Sequence, residues 1–316
     1  MNKTETEYKK GVMFTLASYA LWGFFPIYWK SFKNVSAYEI LAERIVWAFI
    51  FMLVAIICLG KWQAFYQESK TIFANRRQSL LLVAAGIIIS INWLLFIVAV
   101  NSGRIVETSL GYYINPLVSI VLGVYYFKER LSIWTKISFA LACCGVAIMA
   151  WRLGTIPWIS LSLALSFGLY GLLKKLVKTT VVTSITLETL VAMPLAGAYI
   201  YYLYSQGISA WQVADNFSLG LLTISGVVTA TPLLLFSQGA KMLPLNIVGF
   251  LQYISSTISL LIGVFIYQEA FTVSHFWAFG FIWTALALFS VSQTKVFQLY
   301  LEKVFEQMKA EGFDCS

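Results

Sequence analysis

The chain has 316 residues, of which 59% are hydrophobic and only 11% charged, and its net charge is +8. A soluble domain has roughly 45–50% apolar and about 25% charged residues, so this composition excludes an ordinary water-soluble globular protein. Apolar stretches of about 20 residues recur along the chain, and each is long enough to cross a hydrocarbon core about 30 Å thick. The composition therefore predicts an all-α membrane protein.

The basic residues and the cysteines exclude several classes of partner. Most Lys and Arg residues stand in short connections between apolar stretches, where they act as topology signals, so no nucleic acid is expected. Cys58, Cys143 and Cys144 lie inside apolar stretches and Cys315 lies near the C-terminus, without Cys-x-x-Cys or Cys/His spacing. We therefore expect no disulfide, no metal and no cofactor.

Apolar runs between polar breaks predict ten transmembrane helices in chain order. The first run follows a short basic segment, as in a signal peptide, but it is longer than a signal core and lacks an Ala-x-Ala site, so we interpret it as a retained span. The predicted spans are residues 11 to 29, 37 to 59, 79 to 100, 104 to 127, 132 to 151, 156 to 173, 181 to 204, 217 to 238, 243 to 267 and 272 to 293.

The distribution of positive charge predicts the orientation. With the N-terminus inside, 17 of the 22 Lys and Arg residues fall in the terminal segments and in the connections that follow even-numbered spans, counting Lys136, which lies just after one of these connections. Positive residues accumulate on the cytoplasmic side, so we predict a multi-pass protein of the cytoplasmic membrane with both termini in the cytoplasm. The segment from Lys295 to Gly312 has the spacing of an amphipathic helix on the inner leaflet, with a solvated tail as the alternative.

The two halves of the chain resemble each other. The stretch Tyr113 to Glu129 shares six identities with Tyr253 to Glu269 at an offset of 140, and an offset of 145 pairs Glu43 with Glu188. Five spans per half is an odd number, so the second half must be inverted relative to the first. We predict two inverted five-helix repeats, 1–152 and 153–294, and a tail, 295–316. Inverted repeats place a solute site near the bilayer midplane and support alternating access.

Several motifs resemble the RarD-type branch of the EamA family, within the drug/metabolite transporter superfamily. They are WGFFPIYWK (22 to 30), EILAERIVW (39 to 47), NWLLFIVAVNSG (92 to 103), ETSLGYYINPLVSIVLG (107 to 123) and GFLQYI (249 to 254). The resemblance covers nearly all of the chain and implies a ten-helix inner-membrane transporter. The chain departs from the family pattern at Glu43, where a His is usual, and at Ser255 and Ser256, where Gly-Pro is usual.

Glu43, Arg44 and Glu188 are the candidate coupling residues. An ionisable side chain inside a span costs about 2.5 kcal/mol or more, so it normally faces a cavity or a partner. Both glutamates are predicted about 10 Å deep, from opposite sides of the membrane. They could couple transport to protons, or the three residues could hold neighbouring helices together. Glu188 has no positive residue beside it in the sequence, which favours a structural hydrogen bond for it.

Aromatic and amide residues near the middle of the third, fourth and ninth spans form the predicted substrate site. These residues are Asn92, Trp93, Tyr112, Tyr113, Asn115, Gln252 and Tyr253. Pro116 is a predicted helix break, because it lacks an N–H and frees the carbonyl near position 112. Such a site suits a neutral or amphipathic organic solute, although each aromatic alone could simply pack. Tyr28 and Trp29 are predicted to be interfacial belt residues.

These patterns predict a secondary transporter that moves a small organic metabolite or drug-like solute by alternating access, with proton-coupled export favoured. Its partners would be the solute, the lipid bilayer and protons. A passive facilitator or exchanger is the alternative within transport, and a receptor or scaffold is the alternative outside it. No Gly-x-Ser-x-Gly, His-Glu-x-x-His or phosphate-loop motif occurs, so an enzyme is not expected.

Overall fold

The computed structural model describes residues 3–127, 132–153, 156–243, 245–292, 294 and 297, and these segments are helical without strands. The helices are α1 (Lys3–Lys30), α2 (Ala37–Cys58), α3 (Trp62–Ala74), α4 (Arg76–Asn101), α5 (Ile105–Phe127), α6 (Ile133–Leu153), α7 (Trp158–Leu176), α8 (Val181–Ser205), α9 (Ala210–Val213), α10 (Asn216–Met242), α11 (Leu245–Leu261, continued by the π-helical turn Ile262–Ile266) and α12 (Val273–Ser292).

Local sequence explains where several helices begin and end. The side chains of Ser36 and Asn75 accept hydrogen bonds from backbone N–H groups in the first turns of α2 and α4. These groups have no partner within the helix, so such caps stabilise its start. Gly60, Gly103 and Gly207 follow the ends of α2, α4 and α8 with φ of 64°, 70° and 73°. Glycine adopts this left-handed conformation readily, which lets the chain turn sharply out of the helix.

The chain is a multi-pass membrane protein. Eight of the described helices are long and apolar enough to cross a bilayer, namely α1, α2, α4, α6, α7, α8, α10 and α12. Helices α5 and α11 occupy the other two predicted spans, so the count of ten remains a prediction. The sequence analysis missed α3 and α9, which lie in segments predicted as connections, because both helices are too short or too polar to be read as spans.

Packing divides the chain into two compact units. One comprises Met1–Gly123 and Trp158–Ala270, and the other comprises Val124–Pro157 and Phe271–Ser316. In the second unit α6 packs along α12. These units describe contacts rather than sequence similarity, so the predicted repeats, 1–152 and 153–294, remain a prediction. The predicted amphipathic tail lies outside the described residues apart from Phe297.

Helices of the first unit pair across the two halves of the sequence. Helix α1 packs on α10 and α11, α7 packs on α4, and α2 packs on α8 and α10. Glycines allow close approach: a Cβ at Gly86 would lie 3.0 Å from the carbonyl oxygen of Glu188, and one at Gly111 would lie 2.7 Å from that of Ser160. Small residues let helix backbones approach closely in membranes.

Helix α3 is attached to the connection between α7 and α8 through Glu68. One carboxylate oxygen of Glu68 accepts hydrogen bonds from the hydroxyl of Thr179 at 2.8 Å and from the backbone N–H and hydroxyl of Thr180 at 3.1 and 2.9 Å. Burial alone would raise the pKa of this carboxyl, but the hydrogen bonds outweigh burial and lower the pKa from its ordinary value. The connections that follow the second and sixth predicted spans therefore meet.

Candidate functional site

Arg44 lies at the centre of an aromatic cage within the first unit. Its side chain projects from the N-terminal half of α2 and is only 3% exposed. The guanidinium carbon lies 4.1 Å from the ring centroid of Trp93, 4.7 Å from that of Trp29 and 6.0 Å from that of Phe25. Its Nε donates a 2.9 Å hydrogen bond to the hydroxyl of Thr229 on α10. We call these four neighbours the Arg44 cage; aromatic faces attract a cation at such distances.

The prediction that Trp29 is an interfacial belt residue is wrong. Trp29 is fully buried, and its ring faces Arg44 rather than lipid. The neighbouring Tyr28 is partly buried and donates a 2.5 Å hydrogen bond to the backbone carbonyl of Leu221. The prediction used only the position of these residues near the end of the helix. The rotation of α1 about its axis, as it packs against α10, turns both side chains inward.

Asn92 and Tyr112 extend the region beside the Arg44 cage. The Asn92 amide donates hydrogen bonds to the carbonyl of Leu163 at 3.2 Å and to the hydroxyl of Ser166 at 2.8 Å. The Tyr112 hydroxyl donates a longer bond of 3.4 Å to the Asn92 amide oxygen. Since Trp93 follows Asn92 on α4, the fold brings four of the predicted residues, Asn92, Trp93, Tyr112 and Arg44, into one region.

Tyr113 and Tyr253 form a second group. Their rings stack with centroids 6.0 Å apart and an angle of 18° between planes. The Tyr113 hydroxyl also shares a 2.5 Å hydrogen bond with that of Thr257. Gln252 is next to Tyr253 on α11 and is partly exposed. Residues that correspond in the two halves of the sequence thus meet where α5 contacts α11.

Asn115 is buried on α5, and its amide oxygen has no hydrogen-bond partner among the described residues. It faces α7, where a Cβ at Gly168 would lie 3.6 Å from that oxygen. Pro116 stands inside α5, which continues to Phe127. The predicted helix break is therefore wrong: neighbouring turns keep the helix intact, and only the hydrogen bond from the missing N–H is lost.

Glu43 does not pair with Arg44. Its two carboxylate oxygens accept hydrogen bonds from the indole N–H of Trp47 at 3.0 Å and from that of Trp211 at 2.6 Å. Trp211 belongs to α9, which is positioned by Glu39. The Glu39 carboxylate accepts hydrogen bonds from the hydroxyl of Ser209 and from the backbone N–H of Ala210. Adjacent residues point about 100° apart on a helix, which explains why Glu43 and Arg44 have separate partners.

Glu188 has a cationic partner that its sequence neighbours do not reveal. The ammonium of Lys174 on α7 lies 2.7 Å from one carboxylate oxygen. The hydroxyl of Ser184 donates a 2.5 Å bond to the same oxygen, and Tyr170 donates a 3.0 Å bond to the other. Lys174 also donates to Ser184. The expectation that Glu188 is a simple helix–helix hydrogen-bonding group is incomplete, because it is one half of an ion pair.

A small cavity lies beside Glu188. Its lining includes Trp93, Tyr170 and Thr189, and it has room for about one water molecule. The cavity thus connects the region of the predicted binding residue Trp93 with the predicted coupling residue Glu188. Asn115, Gln252 and Tyr253 do not line it.

Comparison with known proteins assigns the family. The sequence profile described as the EamA-like transporter family matches residues 9–151. An uncharacterized transporter of Bacillus subtilis, YojE, is 46% identical over 92% of this chain and 96% of its own length. Protein RarD of Escherichia coli is 39% identical over 89% of this chain and 94% of its own. The chain belongs to the EamA-like transporter family. One solved structure, titled "Crystal structure of protein", has a TM-score of 0.58 at 14% identity, covers 88% of this chain and 96% of its own, and shares the fold.

This EamA-like membrane transporter has polar contacts that the sequence analysis missed. Two of the missed residues are Lys174 and Trp211, the partners of the two glutamates described above. A third is Glu269, which accepts 2.9 Å hydrogen bonds from the backbone N–H groups of Ile105 and Val106. It thereby caps the N-terminus of α5, where negative charge is stabilising. The match of Glu129 with Glu269 in the repeat was the signal that could have drawn attention to this position.

Proposed function

We propose that this transporter moves a small organic metabolite or drug-like solute across the cytoplasmic membrane by alternating access. The stack of Tyr113 on Tyr253 carries the proposal, because these residues correspond in the predicted repeat and meet between α5 and α11. In the predicted repeat α1 corresponds to α7, and α4 corresponds to α10. The packing of α1 on α10 therefore has its counterpart in the packing of α7 on α4. Two inverted halves that contact each other in this way have two equivalent arrangements, one open to each side.

Contacts between connections support the proposed topology. Glu68 joins the connection after the second predicted span to that after the sixth, at Thr180. Glu39, in the first turn of α2 and so at the end of the second predicted span where the first connection enters it, joins that end to the connection after the seventh, at Ser209. If every predicted span crosses the bilayer, each of these pairs lies on one side of the membrane. The excess of Lys and Arg near the termini and the even-numbered connections then favours cytoplasmic termini.

The solute site includes the region around Asn92, Trp93 and Tyr112, and Asn115 on the same helix as Tyr112. An acceptor that is buried without a partner costs about 1–3 kcal/mol. The amide oxygen of Asn115 is in this state among the described residues, so a solute N–H or O–H would relieve the cost. The surrounding rings offer flat apolar faces, which suits an organic solute better than a bare inorganic ion.

Glu43 is the proposed proton-coupling group, with export of the solute driven by inward movement of protons. Glu188 forms an ion pair with Lys174, which would be lost if Glu188 were the group that exchanges its proton. Glu43 is held by the neutral indole N–H groups of Trp47 and Trp211, so its protonation breaks none. The difference favours Glu43 as the carboxylate that changes charge during the cycle.

Flux measurements in proteoliposomes test the proposal. Purified protein is reconstituted, a panel of metabolites and drugs is supplied, and uptake is measured with and without the same solute inside. Saturable uptake that internal solute accelerates is expected for alternating access. Uptake that neither saturates nor responds to internal solute would indicate a passive facilitator. Binding without flux for every solute would indicate a receptor or scaffold.

Substitution of Asn115 identifies the site in the same assay. Asn115→Leu should reduce uptake at least about tenfold, because the buried acceptor no longer contacts solute. Asn101→Leu makes the same chemical change at an exposed helix end and should leave uptake close to that of the parent. Equal uptake by the two variants would remove Asn115 from the site.

A further inference from the structure

Arg44 carries a charge inside the membrane that no described carboxylate neutralises. Ion pairs of the described residues include Arg104 with Glu107 and Lys174 with Glu188, and none within the described part of the chain involves Arg44. Glu43, its neighbour in sequence, binds two indoles instead. The Arg44 cage provides rings and one hydroxyl, and none of these groups is anionic.

The hydrogen-bonding capacity of Arg44 is mostly unused. A guanidinium has five N–H donors. Nε donates to Thr229, and within the described part of the chain Nη1 and Nη2 make no hydrogen bond. Arginine stays protonated in proteins, so it cannot escape the cost of burial by losing its proton. An uncompensated charge in the bilayer interior is costly and normally marks a functional site.

We propose that the Arg44 cage binds the carboxylate of an aromatic organic acid, which deepens and rests on the proposed function. A carboxylate accepts two parallel hydrogen bonds from the two Nη groups of a guanidinium, which is the strong bidentate arrangement. Thr229 holds Nε and so fixes the plane of the guanidinium. The anion supplied by the solute completes the ion pair that Arg44 lacks among the described residues.

The walls around Arg44 indicate an aromatic rather than a small inorganic anion. Trp29 and Trp93 lie against the guanidinium, and Tyr112 packs against the cluster of apolar side chains that contains Trp29. An aromatic ring gains from offset or edge contacts with such side chains, whereas a chloride or phosphate ion does not. The amide oxygen of Asn92 accepts a hydrogen bond from the Tyr112 hydroxyl and would thereby orient the Tyr112 ring.

The experiment compares acids with their uncharged amides. Full-length protein in nanodiscs is titrated calorimetrically with indole-3-acetate and indole-3-acetamide, with benzoate and benzamide, and with benzenesulfonate and benzenesulfonamide. Each acid should bind at least about tenfold more tightly than its amide, because only the acid forms the charged bidentate pair. Carboxylate binding should weaken as pH falls through the ordinary carboxyl pKa of about 4, whereas sulfonate binding should not.

Substitutions test whether the preference for acids comes from Arg44 itself rather than from positive charge elsewhere on the protein. Arg44→Gln should abolish the preference for acids, and Arg44→Lys should keep part of it because the charge remains without the bidentate geometry. Arg104→Gln is the matched control, since Arg104 is 37% exposed and already paired with Glu107. If Arg44→Gln does not fold, Thr229→Val removes only the Nε contact, and acid binding should weaken while folding persists.

Equal affinity for acids and amides would overturn the inference. An acid preference that is unchanged in Arg44→Gln would overturn it too. If Arg44→Gln does not fold, an unchanged acid preference in Thr229→Val has the same meaning. Failure of every acid to bind would overturn it as well. Proteoliposome flux with the same probes keeps the two proposals apart. Trans-stimulated flux of amides alone would overturn the acid site and leave alternating access intact. Acid binding without any flux would uphold the site and overturn transport.

Discussion

The ammonium of Lys174 lies 2.7 Å from a carboxylate oxygen of Glu188, and this ion pair has no equivalent at Glu43 among the described residues. Glu43 and Glu188 correspond at an offset of 145 in the sequence, yet one is paired with a cation and the other with two neutral indoles. Two related positions thus have different electrostatic environments. Under the proposed function, Glu188 would have a structural role and Glu43 the coupling role.

Breaking the Lys174–Glu188 pair should destabilise the protein. Lys174→Gln leaves a carboxylate that is only 5% exposed without its cation, and we expect a loss of about 2 kcal/mol, less than for a fully buried pair because Lys174 is 24% exposed. The double variant Lys174→Gln/Glu188→Gln should recover most of the loss, and Arg104→Gln should change stability by less than about 1 kcal/mol. Chemical denaturation in detergent measures these values; strictly additive single effects would contradict the pairing.

Glu43→Gln should uncouple transport from the proton gradient. The amide keeps the size of the side chain but cannot ionise, so uphill transport should disappear while exchange between solute pools survives. Proteoliposomes with and without a pH gradient provide the measurement. The double variant Lys174→Gln/Glu188→Gln is the control and should still respond to the gradient. Gradient-driven transport that persists in Glu43→Gln would assign Glu43 to a structural role.

Glu269→Ala should open the end of the protein at which α5 begins. The alanine variant loses both hydrogen bonds to the N–H groups of Ile105 and Val106, which join α5 to the segment after α11. In a cysteine-free background, Leu110→Cys reports the change, because Leu110 is fully buried. External impermeant maleimide should label this cysteine several-fold faster in the Glu269→Ala variant. Glu107→Ala, whose carboxylate binds Arg104 instead, should leave labelling slow.

Two glycines of α10 should respond in opposite directions to alanine. A Cβ at Gly226 would clash with the backbone carbonyl of Trp47, whereas one at Gly220 would meet no atom within 4 Å. Gly226→Ala should therefore cost about 1–3 kcal/mol through overpacking between α10 and α2. Gly220→Ala should stabilise the helix by up to about 1 kcal/mol, since alanine has the higher helix propensity. Thermal denaturation of the two variants measures these effects. A Gly226→Ala variant that is more stable than the parent would contradict the close packing of α10 on α2.

Glu68→Gln should loosen α3. The pKa of Glu68 is lowered in the folded protein, so its contribution to stability is complete above the ordinary value of 4.5 and is lost as pH falls through the lowered value. At neutral pH the glutamine variant should show faster amide hydrogen exchange in α3, because it accepts more weakly from Thr179 and Thr180. Gln67→Ala, at the exposed neighbouring position, is the control. Unchanged exchange in Glu68→Gln would mean that other contacts hold α3.

The amino-acid sequence by itself determined the class of this protein and the approximate limits of its membrane helices. Crossing a bilayer needs about 20 apolar residues in one run, which is a local property that can be counted along the chain. The family is equally accessible, since the motifs around Asn92 and Tyr113 are contiguous. The similarity between the halves also follows from counting, because it is a relation between two stretches at a constant offset.

Only the tertiary structure decided which side chains meet. Lys174 and Glu188 come from different helices, as do Glu43 and Trp211, which are 168 residues apart. Whether such groups touch depends on how each helix is rotated and how closely it approaches its neighbour. In a span that is apolar on every side, the sequence contains no polar face that would reveal this rotation. For the same physical reason Trp29 was assigned to the lipid interface, although the packing of α1 against its neighbours turns it onto Arg44.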